Sequence, residues 1–274
     1  MNLLFWNINK KPLSSKLKWL CDCHDVDILI LAENTMTDAT LLPVLNENNN
    51  RTYIAPFNPS AKISFYTRIH DFELVHDNDY WGSIRKITHP IGIEILLVAV
   101  HIQSKLYMIE SEQAAISTRI ALEIDKREQE QGHTHTIVMG DFNMNPFETG
   151  LVSADGFHAV MDKQIALKQS RTVSGEEKKY FYNPMWSRLG DDSEGCPGTY
   201  YHKSSKIVNH FWNMLDQVLL RPSLLAGFNR NNLKVIDRID EVSLINNNGK
   251  ISNQFSDHLP IMIKLEISQL VGDN

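Results

Sequence analysis

Residues 137–146, IVMGDFNMNP, place an acid and three amide or proline positions directly after an apolar run. Ile137, Val138 and Met139 read as the end of a buried strand. Gly140 permits a sharp turn or a close backbone approach. Asp141 and Asn143 follow, and period two adds Asn145 to the same side if the backbone stays extended. A carboxylate and carboxamides can bind a hydrated cation, orient a water or hold a phosphate oxygen. The same residue types also build ordinary turns. The rest of the chain shifts the balance, because three more apolar runs end in a polar residue. Residues 3–6 deliver Asn7, 26–32 deliver Glu33, and 93–100 deliver His101. Open α/β sheets build their sites outside the carboxyl ends of their strands.

Two other positions add to this set. Residues 213–220, NMLDQVLL, form an apolar strand interrupted by Asp216. Aspartate is rarely buried without a partner, and a histidine is one good partner. Asp257 and His258 precede a last apolar run at 259–265.

The strands and helices that carry these groups can be read in outline. Ser14 or Ser15 can cap a first helix, and Thr37 a second that runs to about residue 45. A long amphipathic helix is expected from 107 to about 129, and one helical turn at 147–151. Short β-like runs at 52–55, 63–67, 72–76 and 83–88 look like antiparallel strands of one sheet. Residues 155–198 form the least regular region. Its aromatic residues, including Tyr180, Phe181, Tyr182 and Trp186, are expected to pack as a satellite core. Residues 190–198 read as a flexible acidic loop and 271–274 as a tail. With no internal repeat and no linker, residues 1–274 are expected to form one domain.

Composition narrows the class. At 42% hydrophobic and 22% charged residues, the chain is of ordinary globular type. A formal charge of -6 argues against a broad basic face for tight, non-specific DNA binding. Lys10, Lys11, Lys16 and Lys18, or Lys203 and Lys206, can still supply a local basic rim. Three cysteines imply no disulfide framework and fit a reducing compartment. Cys21, Cys23 and His24 lack the second ligand pair of a structural zinc site, so thiols on a helix are expected there. With no signal-peptide pattern and no membrane-spanning run, the expected location is cytoplasmic, with no membrane partner.

Six motifs in order now carry a resemblance: FWNI from Phe5, LAEN from Leu31, VAVHIQS from Val98, GDFNMNP from Gly140, LDQVL from Leu215 and SDHLP from Ser256. Together they resemble the endonuclease/exonuclease/phosphatase superfamily, the group with the pancreatic-deoxyribonuclease-like fold. YNPMW, ending at Trp186, is similar to a feature of its bacterial members. The resemblance implies an α/β fold, a four-layer sandwich of two mixed or antiparallel sheets packed face to face and flanked by helices. It implies Asn7, Glu33 and Asp257 as metal residues, with Mg²⁺ as the ion and Mn²⁺ as a substitute. It implies His101, Asp141, Asn143, Asp216 and His258 as catalytic residues. Asp216 would support His258, and His101 would contact phosphate.

Two assignments of the attacking water stay open: Asp141 handles it, or a His258–Asp216 pair does and Asp141 is a second metal ligand. The pattern departs from some nuclease members after His101, where only Ser104, Lys105 and Tyr107 are candidates for their phosphate-contacting tyrosine or arginine. The implied activity is metal-dependent phosphodiester hydrolysis on DNA or RNA. The alternative substrate is a small molecule, an inositol phosphate or a lipid headgroup.

Overall fold

Alternation along the apolar runs decides the layers. In the strand β1 (Asn2–Asn7), Leu3 and Phe5 face one way while Leu4 and Trp6 face the other, and all four are fully buried. Such a strand needs cover on both faces. The computed structural model describes residues 1–191 and 195–271, which leaves part of the expected acidic loop and most of the expected tail outside the described residues. Its main elements follow β1 in the order α1 (Ser14–Cys23), β2 (Ile28–Ala32), α2 (Asp38–Asn46), β3 (Ile63–Thr67), β4 (Phe72–Asn78), β5 (Gly82–Thr88) and β6 (Glu94–His101). Then come α3 (Glu110–Gln131), β7 (Thr136–Asp141), β8 (Ala159–Val160), β9 (Phe181–Tyr182), β10 (Asp216–Leu220), β11 (Phe228–Val235) and β12 (Ile261–Leu265).

Two large mixed sheets result: a five-stranded one in the order β11-β12-β1-β2-β3 and a seven-stranded one in the order β4-β5-β6-β7-β10-β9-β8. Their inner faces share one core, in which Leu3, Phe5 and Ile30 meet Leu97, Met139 and Val218. Leu17 and Leu20 of α1 and Leu41 of α2 cover the outer face of the first sheet. Ile120 and Ile124 of α3 cover Val98 and Val138 on the second. Each fully buried aliphatic side chain contributes about 1.5–3 kcal/mol. The arrangement is the four-layer α/β sandwich.

Several expectations need correction. The short β-like runs do not form one sheet: β3 pairs with β2, whereas β4 and β5 join the seven-stranded sheet, and residues 52–55 contribute an isolated bridge. Ser14 starts α1 rather than capping it, and Thr37 occupies its cap position without a side-chain cap bond. The long helix begins three residues later than the pattern suggested. Residues 155–198 are more regular than expected. They hold β8, β9 and a hairpin, Ser170–Val173 with Glu176–Lys179, and they extend the edge of the larger sheet. Tyr180, Phe181 and Tyr182 are buried as a core reading requires, and Trp186 lies against Phe147. Cys21 is buried and Cys23 exposed on α1; burial pushes the Cys21 thiol up to about 12.

Candidate active site

The inward parity that builds the core also aims the polar groups. Asn7 continues the inward series of Leu3 and Phe5, and His101 that of Leu97 and Ala99. Asp141 continues Ile137 and Met139, and Asp216 precedes Val218 and Leu220 in the same series. Pairing then brings three of them into one row. His101 pairs with Asp141 across the parallel β6–β7 ladder, and Asp141 with Asp216 across the antiparallel β7–β10 ladder. Gly140 makes this possible: a β-carbon there would stand 1.9 Å from the Val100 carbonyl oxygen, and its φ is +153°.

The other sheet supplies the facing groups. Asn7 pairs with Ala32, so Glu33 projects from the adjacent strand end, with its backbone at φ +51°. A left-handed backbone at a non-glycine residue costs energy and often marks a functional site. The last motif is fastened to the first. Ser256 Oγ donates to the Asn7 carbonyl at 2.6 Å, and Trp6 Nε1 donates to the His258 carbonyl at 2.9 Å. These bonds fix Asp257 and His258 beside β1.

All eight residues expected to act come together at one end of the sandwich. Seven of them line a cavity of about 580 Å³, which Lys62, Ser104, Lys105, Tyr107, Tyr200 and Lys206 also line. Asp216 sits behind it, and its Oδ2 accepts the His258 Nδ1 hydrogen bond at 2.8 Å. His258 Nε2 then stands 3.8 Å from Asp141 Oδ2. His101 Nε2 lies 3.9 Å from the same oxygen and 3.7 Å from Glu33 Oε1. Asn7 Nδ2 donates to Asp141 Oδ2 at 3.1 Å and approaches Glu33 Oε1 at 3.5 Å. Asn143 Nδ2 donates to the Ile102 carbonyl at 2.8 Å, while its backbone N–H holds Asp141 Oδ1 at 2.8 Å.

The two histidines are held in opposite states. Burial pulls His258 down, but Asp216, Asp141 and Asp257 outweigh it and raise the ring to about 10. His101 lacks a bonded carboxylate. Burial lowers it to about 4, opposed by Asp141 and reinforced by Lys62 and His258. Burial also raises the Asp141 carboxyl, against the pull of His258.

A cation fits the donor set. Glu33 Oε1 meets only long contacts, and the available oxygens of Glu33, Asp141 and Asp257 are the hard ligands that Mg²⁺ prefers. Asp141, Asp216 and His258 also place one potential ligand atom each within 4.8 Å of the others. In that second group Asp216 Oδ2 and His258 Nδ1 are already joined by a hydrogen bond.

Some expectations about the surroundings fail. The backbone does not stay extended after Asp141, because Asn143 has φ +51°. Asn145 therefore turns away from the site, where its Nδ2 donates to Asn213 Oδ1 and its Oδ1 accepts from Met214 N, both at 2.9 Å. Lys10, Lys11, Lys16 and Lys18 do not line the cavity, and Lys18 pairs with Asp22 on α1. Ser104, Lys105 and Tyr107 do line it, with Lys105 bonded to Glu148. Sequence reasoning missed Lys62, Tyr200, His202 and His210. Tyr200 stacks obliquely on His258, with ring centres 4.8 Å apart. The only signal for the last three was the concentration of rings and lysines at 200–213, and Lys62 had none.

No protein-family model matches the sequence, and no curated protein matches it. Solved structures match along nearly its whole length. An endonuclease/exonuclease/phosphatase family protein from Leptotrichia buccalis is 14% identical with a TM-score of 0.57, over 97% of this chain and 99% of that one. D. rerio TDP2, complexed with single-strand DNA product, is 15% identical with a TM-score of 0.54, over 96% and 97%. The 3' phosphatase NExo from Neisseria, bound to a product DNA hairpin, is 15% identical with a TM-score of 0.54, over 97% and 99%. Among the described residues, no helix is long and apolar enough to cross a membrane. The two face-to-face sheets, the flanking helices and these full-length matches together show that the chain has the endonuclease/exonuclease/phosphatase fold.

Proposed function

We propose that this protein hydrolyses phosphodiester bonds with the aid of a divalent cation, and that its substrate is DNA or RNA. The observation that carries the reading is the hydrogen-bonded Asp216–His258 pair, aimed at Asp141 in the cavity that also holds Glu33 and His101. DNA occupies the solved structures of D. rerio TDP2 and Neisseria NExo, which supports a nucleic-acid substrate on the same fold.

Glu33, with Asp257 and Asn7, would hold Mg²⁺, and Mn²⁺ could replace it. The bound cation would polarise the phosphoryl oxygen and offset its developing charge. Asn7 offers its nitrogen to the carboxylates in this arrangement, so ligation through its Oδ1 requires the amide to turn over. Asp141 accepts a proton from, or orients, the attacking water. Its burial favours this, because a carboxylate raised by desolvation is a better base. His258 donates from Nε2 to a phosphate oxygen as a cation, with Nδ1 held by Asp216. That charge state supports the version in which Asp141, rather than His258, handles the water. His101, neutral at pH 7, donates through a single N–H. Asn143 uses one amide hydrogen on the Ile102 carbonyl and keeps the other for a phosphoryl oxygen.

A second reading, a small or lipid-borne phosphoester as substrate, is favoured by the exposed aliphatic side chains of Leu106 and Val208, which line the cavity. The test is hydrolysis of a panel of single- and double-stranded DNA, RNA, a generic phosphodiester and phosphomonoesters. Each is assayed with Mg²⁺, with EDTA and with Asp141→Asn. Nucleic-acid cleavage lost in both controls is the expected result. Monoester turnover without nucleic-acid cleavage establishes the second reading, and no turnover of any substrate refutes both.

A further inference from the structure

Lys62 is the one lysine of the cavity that arises neither from the loop after β6 nor from the 200–213 hairpin region. It belongs to the loop that leads into β3, and it lines the same cavity as Glu33, His101, Asp141 and Asp257. Its charge is felt by the site: Glu33 and Asp141 both act on its ammonium, and it acts in turn on His101. Its side chain nevertheless forms no hydrogen bond and no ion pair within 4.0 Å among the described residues. A half-buried ammonium without a direct partner loses solvation and gains little in return. Such a group is retained where a ligand completes it.

The loop is built to hold that position. Arg85 of β5 is 1% exposed, and it spends its guanidinium on the loop rather than on a carboxylate. Its Nη1 donates to the Phe57 carbonyl at 2.8 Å and its Nη2 to Asn58 Oδ1 at 2.6 Å. Asn58 Nδ2 passes the restraint on, donating to the Ser60 and Ile63 carbonyls at 2.6 Å each. Ser60 Oγ accepts from the Lys62 backbone N–H at 3.0 Å. A buried guanidinium cannot release its acceptors cheaply, so the loop conformation is pinned from the core outward.

We propose that Lys62 is a substrate-binding residue whose ammonium binds a phosphate oxygen beside His101, as an anion subsite within the acid-rich cavity. The proposal rests on the phosphoester reading above, since it assigns the phosphate of that substrate. Glu33, Asp141 and Asp257 repel an incoming phosphate, and a fixed cation among them offsets that repulsion at the point of entry. Lysine suits the task as a compact point charge with three donors.

The test is calorimetric binding of inorganic phosphate, in Mg²⁺ buffer and in EDTA, to the wild-type chain and to K62M, K62Q and K62R. Thermal melts check that each variant is folded. Loss of one charge-assisted bond predicts about tenfold weaker phosphate binding for K62M and K62Q, with K62R within about threefold of wild type. Equal phosphate affinity of wild type and K62M overturns the proposal, as does no phosphate binding by the wild type in either buffer. If the only change is tighter Mg²⁺ binding by K62M, Lys62 merely balances the carboxylates and the proposal also fails. Phosphate binding is read without turnover, so a wild-type chain that hydrolyses nothing refutes the proposed function without deciding the role of Lys62.

Discussion

Asp216 and Arg221 stand at the two ends of one strand, β10 and its exit, yet the polar clusters around them are built differently. At the Arg221 end, the guanidinium bonds Glu128 Oε1 at 2.7 Å, Asp125 Oδ1 at 3.0 Å and the Tyr180 carbonyl at 3.1 Å. Lys179 Nζ and Thr136 Oγ1 complete Glu128, and the Phe181 ring lies under the guanidinium at 3.9 Å. At the Asp216 end, one carboxylate oxygen has the His258 bond and the other is buried with no partner among the described residues. Around it, the histidine–carboxylate separations of 3.7–3.9 Å are too long for hydrogen bonds. A cluster that only stabilises the fold satisfies its own groups. The cluster at the other end keeps capacity for groups that arrive from outside, at a cost in stability.

The largest expected effect tests the unsatisfied end. Asp216→Asn removes the carboxylate that holds His258 in its charged form, and turnover should fall by about 10²- to 10⁴-fold. Below about pH 10 the melting temperature should also fall, because buried His258 loses the carboxylate that raises it, so turnover per folded molecule is the readout. Turnover within tenfold of wild type would erase the distinction between the two clusters.

Arg221→Met tests the satisfied end. It leaves Glu128 and Asp125 without their guanidinium, and removing one member of a buried ion cluster costs about 3–5 kcal/mol. Denaturant unfolding should show that loss, while kcat per folded molecule stays close to wild type. A kcat that falls in step with stability would mean that the Arg221 cluster also shapes the active site.

The smallest effect sharpens the comparison within the active site through pH. The folded state raises His258 from 6.5 to about 10, so it binds that proton more tightly than the unfolded chain does. The stabilisation is complete below about pH 6.5 and is lost as pH climbs towards 10. His101 is lowered from 6.5 to about 4, so the unfolded chain takes up its proton first. That contribution is present above pH 6.5 and is lost as pH falls towards 4. Stability measured in EDTA should decline on both sides of neutrality. His258→Asn should flatten the alkaline limb and His101→Asn the acid limb; a variant that flattens the wrong limb would reverse the assignments.

Much of the site was legible because strands report their ends. The strand at residues 28–32 is apolar throughout, so the first polar residue after it, Glu33, marks where the strand leaves the core. Period two then says that Asn7, His101 and Asp141 share a face with their buried neighbours. Period two carries no information where the chain stops being periodic. Extended backbone would put Asn145 beside Asp141, but the left-handed turn at Asn143 sends it to Asn213 instead. The runs at 63–67 and 83–88 look alike in sequence, and which sheet each joins depends on partners far along the chain.

The order of polar deliveries, the strands that make them and the covered faces that demand a layered α/β fold follow from local residue patterns, because burial repeats along each element. Which deliveries meet, that Asp216 bonds His258 from 42 residues away, and that Lys62 enters the same cavity are set by long-range packing. Those contacts depend on how two sheets are stacked and on loops pinned by distant residues such as Arg85. Neither leaves a period in the sequence, because a loop's path is set by what it is bonded to.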